Sequence, residues 1–523
     1  MIKRGLQASL FLLIAFLLLH IVVAKDCRVQ DFNSIQAAID DCTSGGGDVI
    51  FEGGKTYTSG TIELKSDVNL RLNGATITTS SNPGDFYAVN APLSTYSTFI
   101  DTKIGTKNVG IYGPGTFKKS SGHSFELTMI QFTGTETIRV KDIEINSLGT
   151  DSRAGAAGFH LIAKGMGDHI SKDIVFENIV VRGHTDVVGT DGIDIQNAED
   201  VVVRGCDVIT GDDGLVVATP KGTTLKNVLF EDNDVSSQTA GIKFGTGSTG
   251  TMDGVTYRDI RIHDSKHGIR IVNREGGEMK NIILEDIEIQ HGVIVAFTGY
   301  AKAYPEFSGG CYPESGYIKG DFLCDSGNGI GSIHDVTFRN FDIHSGGSSS
   351  HAGRSTINHI NRLKLENIKF HSGSGSTPLI ELRDICGLSI SGFSSHLTGN
   401  PSQDLSIKSS VRNVVFDGSQ PDCDGTNPPC DVGGPCSISG CPGVYNTNCY
   451  CVDNSDDNCP ENEGGDPSGT PEDVNKDGAV SIKDLILVAR NLGAIGVDPQ
   501  FDVDGDRNVS IKDLILVARS LGT

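Results

Sequence analysis

The chain has 523 residues, of which 37% are apolar and 21% charged, and its formal net charge is −23 at pH 7. This length allows a large folded domain together with at least one smaller module, and the composition excludes a disordered protein. The negative charge argues against nucleic acid and against an anionic membrane as partners, and a polyanionic ligand would require a locally basic cleft.

Residues 1–24 have the pattern of a cleaved export signal. A basic start, a short apolar run and a small-residue end follow one another in "MIKRGLQASLFLLIAFLLLHIVVA". A single membrane anchor is the alternative, but the run is short and no second long apolar segment follows it. We therefore expect cleavage near Ala24, secretion and no membrane attachment of the mature chain. The 13 cysteines suit such an oxidising destination.

Residues 25–418 contain a repeated strand template. Seven segments, from "DIVFENIVV" to "RLKLENIKF", alternate apolar and polar residues in the same way. Their first apolar residues are separated by 27, 27, 27, 27, 54 and 27 positions: Ile174, Val201, Val228, Val255, Ile282, Val336 and Leu363. A propeller blade needs about 40–50 residues, so this period excludes a propeller. The pattern predicts an all-β fold, a right-handed parallel β-helix with coils of about 27 residues.

Four glycine-centred strands in this repeat, "TDGIDI", "DDGLVV", "TAGIKF" and "KHGIRI", carry charged residues in register. Their glycines are 22, 27 and 27 positions apart, so the strands should stack on adjacent coils about 4.8 Å apart. The residue before each glycine then forms one column: Asp191, Asp213, Ala240 and His267. The second residue after each glycine forms another: Asp194, Val216, Lys243 and Arg270.

Asp191, Asp212 and Asp213 form the predicted catalytic cluster. Like charges on adjacent rungs destabilise one another, so one carboxyl should hold its proton more tightly than a free aspartate. Sheet stability does not require this arrangement, whereas a site with one protonated acid and one ionised base does. A calcium site made of the same carboxylates is the non-catalytic alternative. For Asp194, a turn or ladder role and a functional role remain open.

The basic residues of the second column predict an anion site. Lys243 and Arg270 meet across one rung, which is unfavourable unless an anion lies between or over them, and a uronate carboxylate would serve. We assign Lys243, Arg270 and His267 to substrate binding. For His267 the alternative is a hydrogen-bonded residue at the sheet edge. We expect no cofactor to be required for the chemical step.

Residues 419–470 are rich in Gly, Pro and acidic residues, which is typical of a linker, and they contain seven of the 13 cysteines. The cysteine spacing lacks a clean pair of CxxC elements, so a disulfide-stapled linker is favoured over a zinc site. Two local bridges are plausible within the preceding domain, Cys27–Cys42 and Cys311–Cys324.

Residues 471–523 contain two copies of one sequence, "DVNKDGAVSIKDLILVARNLG" from 473 and "DVDGDRNVSIKDLILVARSLG" from 502. Each opens with oxygen donors at positions 1, 3, 5, 9 and 12 of a twelve-residue calcium loop. The donors of the first loop are Asp473, Asn475, Asp477, Ser481 and Asp484. Those of the second loop are Asp502, Asp504, Asp506, Ser510 and Asp513.

This pair of loops resembles a dockerin, the α-helical calcium-dependent module that docks enzymes onto the cohesin domains of scaffold proteins. The resemblance implies structurally bound Ca²⁺ and a cohesin-bearing scaffold protein as the partner. The second loop departs from the pattern at Arg507, where Gly is usual. The pair after position 9 is Ile-Lys rather than the small hydroxyl residues of well-known cohesin readers, so calcium binding is the firmer expectation.

The main domain resembles the family 28 glycoside hydrolases, the polygalacturonases and rhamnogalacturonan hydrolases. The resemblance is carried by "TDGIDI" with "GDDGLVV" 21 residues later, and by "VIFEGGKTYTSGTIELKSDVNLRLNGATI" and "NVGIYGPGTF" nearer the N-terminus. It implies a β-helix that hydrolyses pectic glycosidic bonds with inversion. Asp212 would protonate the leaving oxygen, and Asp191 and Asp213 would activate water. An inverting pair needs carboxyls roughly 6.5–9.5 Å apart, which a diagonal across neighbouring rungs can supply.

Two departures from the family pattern concern the substrate. Ala240 stands in the place of the histidine of the family's Gly-His-Gly strand, and Val272 replaces the lysine of its Arg-Ile-Lys. These losses favour a mixed or decorated pectic chain over plain homogalacturonan, with Lys243 as the replacement cation. Two other functions stay open. One is a polysaccharide lyase with Lys243 or Arg270 as the base and aspartate-bound Ca²⁺, and the other is a non-catalytic carbohydrate-binding surface β-helix.

Overall fold

The computed structural model describes most of the chain between Lys25 and Asp453. The described residues are 25–91, 97–121, 127–148, 158–185, 189–220, 222–245, 248–273, 277–290, 294–298, 302–303, 311–312, 332–344, 355–371, 380–395, 405–407, 411–416, 435–438, 441–445 and 451–453. The export signal, both calcium loops and most of the linker lie outside them, so those expectations stay predictions. Within the described part of the chain, no helix has the length and apolarity that crossing a membrane requires.

The described elements are almost all short strands. One α-helix, α1 (Ile35–Cys42), and two 3₁₀ turns, Val29–Asp31 and Pro83–Asp85, interrupt them near the N-terminus. The first strands are β1 (Lys25–Arg28), β2 (Gly47–Ile50), β3 (Thr56–Ser59), β4 (Ile62–Leu64), β5 (Val68–Arg71), β6 (Ala75–Thr79), β7 (Thr98–Thr102), β8 (Lys107–Lys118), β9 (Thr128–Thr133), β10 (Glu136–Asn146), β11 (Phe159–Lys164), β12 (Ser171–Glu177) and β13 (Val180–Arg182).

The central strands, which carry the predicted site, are β14 (Asp191–Gln196), β15 (Ala198–Arg204), β16 (Asp207–Thr210), β17 (Leu215–Ala218), β18 (Thr224–Ser237), β19 (Ala240–Phe244), β20 (Thr251–His263), β21 (His267–Asn273), β22 (Glu278–Gln290) and β23 (Ile294–Thr298). The remaining strands are β24 (Lys302–Ala303), β25 (Cys311–Tyr312), β26 (Ser332–His344), β27 (Ser355–His371), β28 (Ile380–Ser391), β29 (Ser394–Ser395), β30 (Leu405–Ile407), β31 (Arg412–Phe416), β32 (Pro435–Ile438), β33 (Cys441–Tyr445) and β34 (Cys451–Asp453).

The strands of the main domain pair in parallel and form three stacks. The first stack runs from β1 and β2 through β12, β15 and the first parts of β18, β20, β22, β26 and β27. The second stack contains β13, β16 and the later parts of the same long strands. The third stack contains β4, β7, β9, β11, β14, β17, β19, β21 and β23. The predicted all-β parallel architecture is thus confirmed, while the predicted α-helical module lies outside the described residues.

The register follows the sequence period. Ile174 pairs with Val201, Val201 with Val228, and Val228 with Val255. The doubled interval is spanned without loss of register, because Ile282 pairs directly with Val336. All these aliphatic side chains are buried in one continuous core. The core is therefore a stack of similar layers, and each coil contributes one layer.

Asparagine and aspartate form the corner between the first and second stacks. The backbone φ angle lies between 54° and 56° at each of these corners: Asn178, Asp232, Asp259, Asp286 and Asn340. Short polar side chains tolerate this left-handed conformation, so a long strand such as β20 can turn without ending. At two of these corners the side chains also bond to the equivalent residue of the preceding coil, as Asn340 Nδ2 donates to Asp286 Oδ1 at 2.9 Å.

The glycine column of the third stack is a steric requirement. A Cβ atom on Gly192, Gly214 or Gly241 would lie 2.4–2.5 Å from a side-chain carbon of the second stack, on Val208, Val235 and Ile262 respectively. Strands of the third stack can therefore begin directly against the core only where no side chain is present.

The N-terminal end of the core is covered by α1. Its residues Ile35, Ala38 and Ile39 are buried, and Ser34 Oγ caps the helix by accepting from the backbone N–H of Ala37 at 3.1 Å. The predicted Cys27–Cys42 disulfide is confirmed and joins β1 to α1, with 5.9 Å between the Cα atoms. The side chains of the other predicted pair, Cys311 and Cys324, lie outside the described residues.

The chain divides into two compact units, residues 1–430 and 431–523. In the second unit the described residues form a three-stranded antiparallel sheet of β32, β33 and β34.

Candidate active site

The structure places the predicted columns as the sequence period requires. Asp194 pairs with Val216, Val216 with Lys243, and Lys243 with Arg270 on successive strands of the third stack. Ala240 pairs with His267 in the neighbouring column. The predicted site is therefore a set of side chains on adjacent rungs, although the roles of its members remain predictions.

Asp191, Asp212 and Asp213 are brought together at the start of β14 and β17. One carboxylate oxygen of each lies within 4.8 Å of those of the other two. The backbone N–H of Asp213 donates to Asp191 Oδ1 at 3.1 Å, which ties the two rungs together. Burial, and then the charge of Asp213, raises the pKa of Asp191 well above its ordinary value. The group therefore holds at least one proton more tightly than isolated aspartates would.

Asp212 is held by two hydrogen bonds. Its Oδ2 accepts from the backbone N–H of Gly189 at 2.7 Å, and its Oδ1 lies 2.8 Å from Thr239 Oγ1. Burial, followed by the charge of Asp213, raises the pKa of Asp212, while the hydrogen bond from Gly189 opposes this rise. A carboxyl that is fixed in place and whose pKa is raised suits a general acid.

Thr239, which the sequence analysis did not identify, bridges the two consecutive aspartates. Its Oγ1 lies 2.8 Å from Asp212 Oδ1 and 2.5 Å from Asp213 Oδ1. A hydroxyl has one proton to donate, so both contacts are hydrogen bonds only when one carboxyl is protonated and itself donates to the hydroxyl. The bridge therefore favours one protonated and one ionised aspartate.

Lys243 contacts one of the two bridged aspartates. Its Nζ donates to Asp213 Oδ2 at 2.6 Å, and Lys243 and Asp213 are only 5% and 9% exposed. A buried ammonium stabilises the carboxylate form of its partner, so this contact favours Asp213 as the base and leaves Asp212 as the predicted acid. The sequence predicted a substrate anion, rather than Asp213, as the partner of Lys243. The ammonium also supplies positive charge to the acid cluster, which weakens the calcium alternative.

Asp191 is positioned through its backbone by a buried histidine. His160 Nδ1 lies 2.8 Å from the carbonyl oxygen of Asp191, and Nε2 lies 2.8 Å from Ser147 Oγ. Because a carbonyl can only accept, Nδ1 carries the proton. Burial lowers the pKa of His160 to about 4, so the ring is neutral and Nε2 accepts from the serine. This support was missed because the 27-residue period begins only after these residues.

Asp194 is buried, with 2% of its surface exposed, so it is not a solvated turn residue. Its Oδ2 accepts from Gln196 Nε2 at 2.9 Å, whereas Oδ1 has no hydrogen-bond partner among the described residues. Burial raises the pKa of Asp194 to about 7. Asp194 thus adds a buried carboxyl in the second column, and its charge acts on Asp191 of the acid cluster.

Arg270 and His267 are both half-buried at the start of β21. Arg270 lies on the outer face of the stack, since its neighbours Ile269 and Ile271 are buried in the core. With Lys243 paired to Asp213, Arg270 is the residue of this column best placed for a substrate anion. The predicted calcium ligands of the C-terminal loops lie outside the described residues.

The central part of the chain is similar to a known family of enzymes. The sequence model of the glycosyl hydrolases family 28 matches residues 50–301, a range that contains the acid cluster, Thr239, Lys243 and Arg270. This match supports a glycosidase that resembles polygalacturonases. No curated protein matches the sequence significantly.

Solved structures similar to this one include three polygalacturonases. The family 28 exopolygalacturonase of Yersinia enterocolitica has a TM-score of 0.55 and 17% identity, covering 76% of this chain and 79% of its own. The hyperthermoactive exopolygalacturonase of Thermotoga maritima has a TM-score of 0.48 and 17% identity, covering 76% and 92%. The polygalacturonase of Erwinia carotovora has 0.46 and 18%, covering 69% and 97%. The first of these likenesses establishes a shared fold.

Proposed function

We propose that the chain is a secreted glycoside hydrolase that cleaves galacturonic-acid-containing polysaccharide by single displacement with inversion. The observation that carries the proposal is the bridge of Thr239 between Asp212 and Asp213, next to the buried ammonium of Lys243. This arrangement supplies one acid and one base on consecutive residues. Both are needed in the same catalytic step.

In the proposed reaction, Asp212 gives its proton to the glycosidic oxygen as the bond to the anomeric carbon breaks. A water molecule attacks that carbon from the opposite side and loses a proton to the carboxylate of Asp213. The products are two hydroxyl-terminated sugars, and the enzyme ends with Asp212 ionised and Asp213 protonated. One proton must then return to Asp212, and Thr239 Oγ1 contacts both carboxyls, so it offers a direct path for this transfer.

Inversion is the part of the proposal that rests on the family resemblance. The nearest carboxylate oxygens of the three acids lie within 4.8 Å, which is shorter than the roughly 6.5–9.5 Å between carboxyls expected of an inverting pair. The stereochemistry therefore needs a direct measurement. Proton NMR of the first product formed from a pectic oligosaccharide reports whether the new reducing end is the β-anomer, which inversion of an α-bond would give.

A uronate in the substrate is supported by Arg270. The chain as a whole is strongly acidic, so a polyanion needs a local cation at the cleft. Arg270 lies one rung beyond the Lys243–Asp213 pair and presents that cation on the outer face. The family lysine is absent at Val272, and this difference favours a mixed or decorated pectic chain over plain homogalacturonan.

The lyase alternative requires a neutral lysine or an arginine as the base. Lys243 is poorly suited, because its ammonium is already bonded to Asp213. β-Elimination leaves an unsaturated uronate, so ultraviolet absorbance separates the two reactions. We expect chain cleavage of homogalacturonan, rhamnogalacturonan or xylogalacturonan without a rise in absorbance, and with or without a chelator. A rise that accompanies cleavage would contradict the hydrolase. The absence of turnover on every fraction would favour the non-catalytic surface protein.

For residues 471–523 we propose a dockerin-like module that binds Ca²⁺ through its two loops and attaches the enzyme to a cohesin-bearing scaffold protein. The support is the double set of oxygen donors at calcium-loop spacing, which includes Asp473 and Asp502. Calorimetric titration of Ca²⁺ should show two sites per chain. Asp473→Ala together with Asp502→Ala should abolish both without changing pectin hydrolysis.

A further inference from the structure

A second cluster of potential ligands lies away from the acid cluster, at the ends of β26 and β27. Asp342 and His344 are on β26, and His371 is on β27, directly opposite His344 in the parallel register. Phe341 and Ile343 are buried in the core, so the alternating residues Asp342 and His344 face outward. The two coils therefore present three side chains side by side on the outer surface of the second stack.

The three side chains converge on one point. His344 Nε2 lies 2.9 Å and His371 Nε2 lies 2.6 Å from the same atom, Asp342 Oδ1. The two imidazole rings are stacked, with 4.4 Å between their centroids and 9° between their planes. Asp342 Oδ1 is shielded from solvent, yet it accepts no hydrogen bond of normal geometry from any described residue.

An aspartate–histidine pair in the same two columns shows the ordinary arrangement. His263 precedes His344 in its column, and Asp234 precedes Asp342 in the other. There a single imidazole bonds to the carboxylate, with His263 Nε2 at 2.6 Å from Asp234 Oδ1. That pair is satisfied by one proton. In the later cluster two imidazole nitrogens approach one carboxylate oxygen, and neither contact has hydrogen-bond geometry.

We propose that Asp342, His344 and His371 bind a divalent transition-metal ion of the Zn²⁺ class. Two imidazole nitrogens and a carboxylate are a common ligand set for zinc, whereas calcium prefers oxygen ligands alone. Around a tetrahedral ion at about 2.0–2.1 Å, ligand atoms lie about 3.3 Å apart. Each histidine nitrogen would therefore move away from Asp342 Oδ1 by only a few tenths of an ångström to about 0.7 Å.

Water can complete the coordination. The side chains of Asp342, His344 and His371 are 45%, 44% and 34% exposed, so the fourth position faces solvent. Because His371 belongs to the next coil, the ion would link two successive layers of the solenoid. Metal binding should then stabilise the coils nearest the linker, and this role is independent of the proposed hydrolase activity.

The test uses the full chain without an affinity tag. Co²⁺ should give visible d–d absorption that saturates with one high-affinity equivalent, and Zn²⁺ should displace it. His371→Ala should weaken Co²⁺ binding by about 10–100-fold or more, and His344→Gln should do the same. His263→Ala, in the same column, should bind as the unchanged chain does. Zn²⁺ should raise the Tm of the unchanged chain and of His263→Ala, but not of the other two variants.

The cysteines of residues 419–470 provide the main competing ligands. Cobalt bound by thiolates would show intense near-ultraviolet charge-transfer bands, which imidazole and carboxylate ligands lack. Thiolate bands alone, or equal affinity in His371→Ala and the unchanged chain, would overturn the proposal. Tm values measured in chelator should be similar for all variants, which would show that lost binding is not lost folding.

Discussion

Two columns of the same solenoid arrange charge in opposite ways. On the outer face of the first stack, one column alternates in sign over eight coils, and we call it the charge ladder: Lys141, Glu177, Arg204, Glu231, Arg258, Glu285, Arg339 and Glu366. In the third stack, three like charges meet at the acid cluster of Asp191, Asp212 and Asp213. In the charge ladder the side chains are solvated, and each charge lies next to an opposite charge. In the acid cluster the carboxyls are largely buried, and their negative charges repel one another.

The pKa directions follow this difference. Hydrogen bonds from Lys141 and Arg204 lower the pKa of Glu177 in the charge ladder. Burial raises the pKa of Asp191 and Asp212 in the acid cluster. The parallel scaffold therefore dictates only the spacing of side chains. Whether a column stabilises the fold or performs chemistry depends on the sign and solvation of the charges placed on it.

The largest expected effect is loss of activity in Asp212→Asn. Removing the general acid should lower the rate of pectin hydrolysis by about 10²–10⁴-fold, measured as release of reducing ends. Because the carboxyl it replaces is destabilised by its neighbours, the Tm should stay the same or rise. Glu231→Gln in the charge ladder should keep full activity. A variant Asp212→Asn with near-normal activity would remove the distinction between the two columns.

Lys243→Met tests the ion pair beneath the acid cluster. Leaving the Asp213 carboxylate buried without its partner should lower the free energy of unfolding by about 3–5 kcal/mol, measured by chemical denaturation. Adding Asp213→Asn should recover part of that loss, since the double variant has no unpaired charge. Arg258→Met in the solvated charge ladder should cost much less. Equal losses for the two single variants would contradict the contrast.

Thr239→Val tests the hydroxyl bridge. In the bridge, protonated Asp212 donates to Thr239 Oγ1, so removing the hydroxyl takes an acceptor away from the acid form and should lower the pKa of Asp212. Hydrolysis requires protonated Asp212, and its rate falls as pH rises through this pKa. The alkaline limb of the kcat/KM profile should therefore move to lower pH in Thr239→Val and stay in place in Thr239→Ser. A limb that stays or moves to higher pH in Thr239→Val would show that Asp212 does not donate to the hydroxyl.

Asp101→Asn should leave activity unchanged and alter the pH dependence of stability. Burial raises the pKa of Asp101 in β7 from 3.8 to about 7. A raised carboxyl pKa stabilises the fold fully below about pH 4, and the stabilisation is lost as pH rises towards and through about pH 7. The Tm of the unchanged chain should fall more steeply over this window than that of Asp101→Asn. Identical slopes would mean that Asp101 is solvated.

Much of the fold was accessible from the sequence because it is periodic. A constant interval of 27 fixes which residues pair, and the predicted pairings from Ile174 to Leu363 are all present. The charge ladder is equally visible in the sequence as alternating Glu and Arg at one position of the repeat. A constant sequence period therefore predicts which side chains stack in one column, provided that the successive coils have equal length.

The missed features lack periodic signals. Thr239 is one hydroxyl residue within "SSQTAG", and nothing in that segment distinguishes it from its neighbours. The pairing of Lys243 with Asp213 depends on the path of a long flexible side chain across a rung, which register does not determine. His160 and Ser147 lie in coils of unequal length, so no interval places them next to Asp191.

The acid cluster and its supports come from neighbouring coils, with 22 positions between Asp191 and Asp213 and 30 between Asp213 and Lys243. Closing such short loops costs little chain entropy, and coils of a solenoid add one upon another. The site can therefore assemble during synthesis as soon as the coil that ends with β19 has stacked, well before the ribosome has released the last coils.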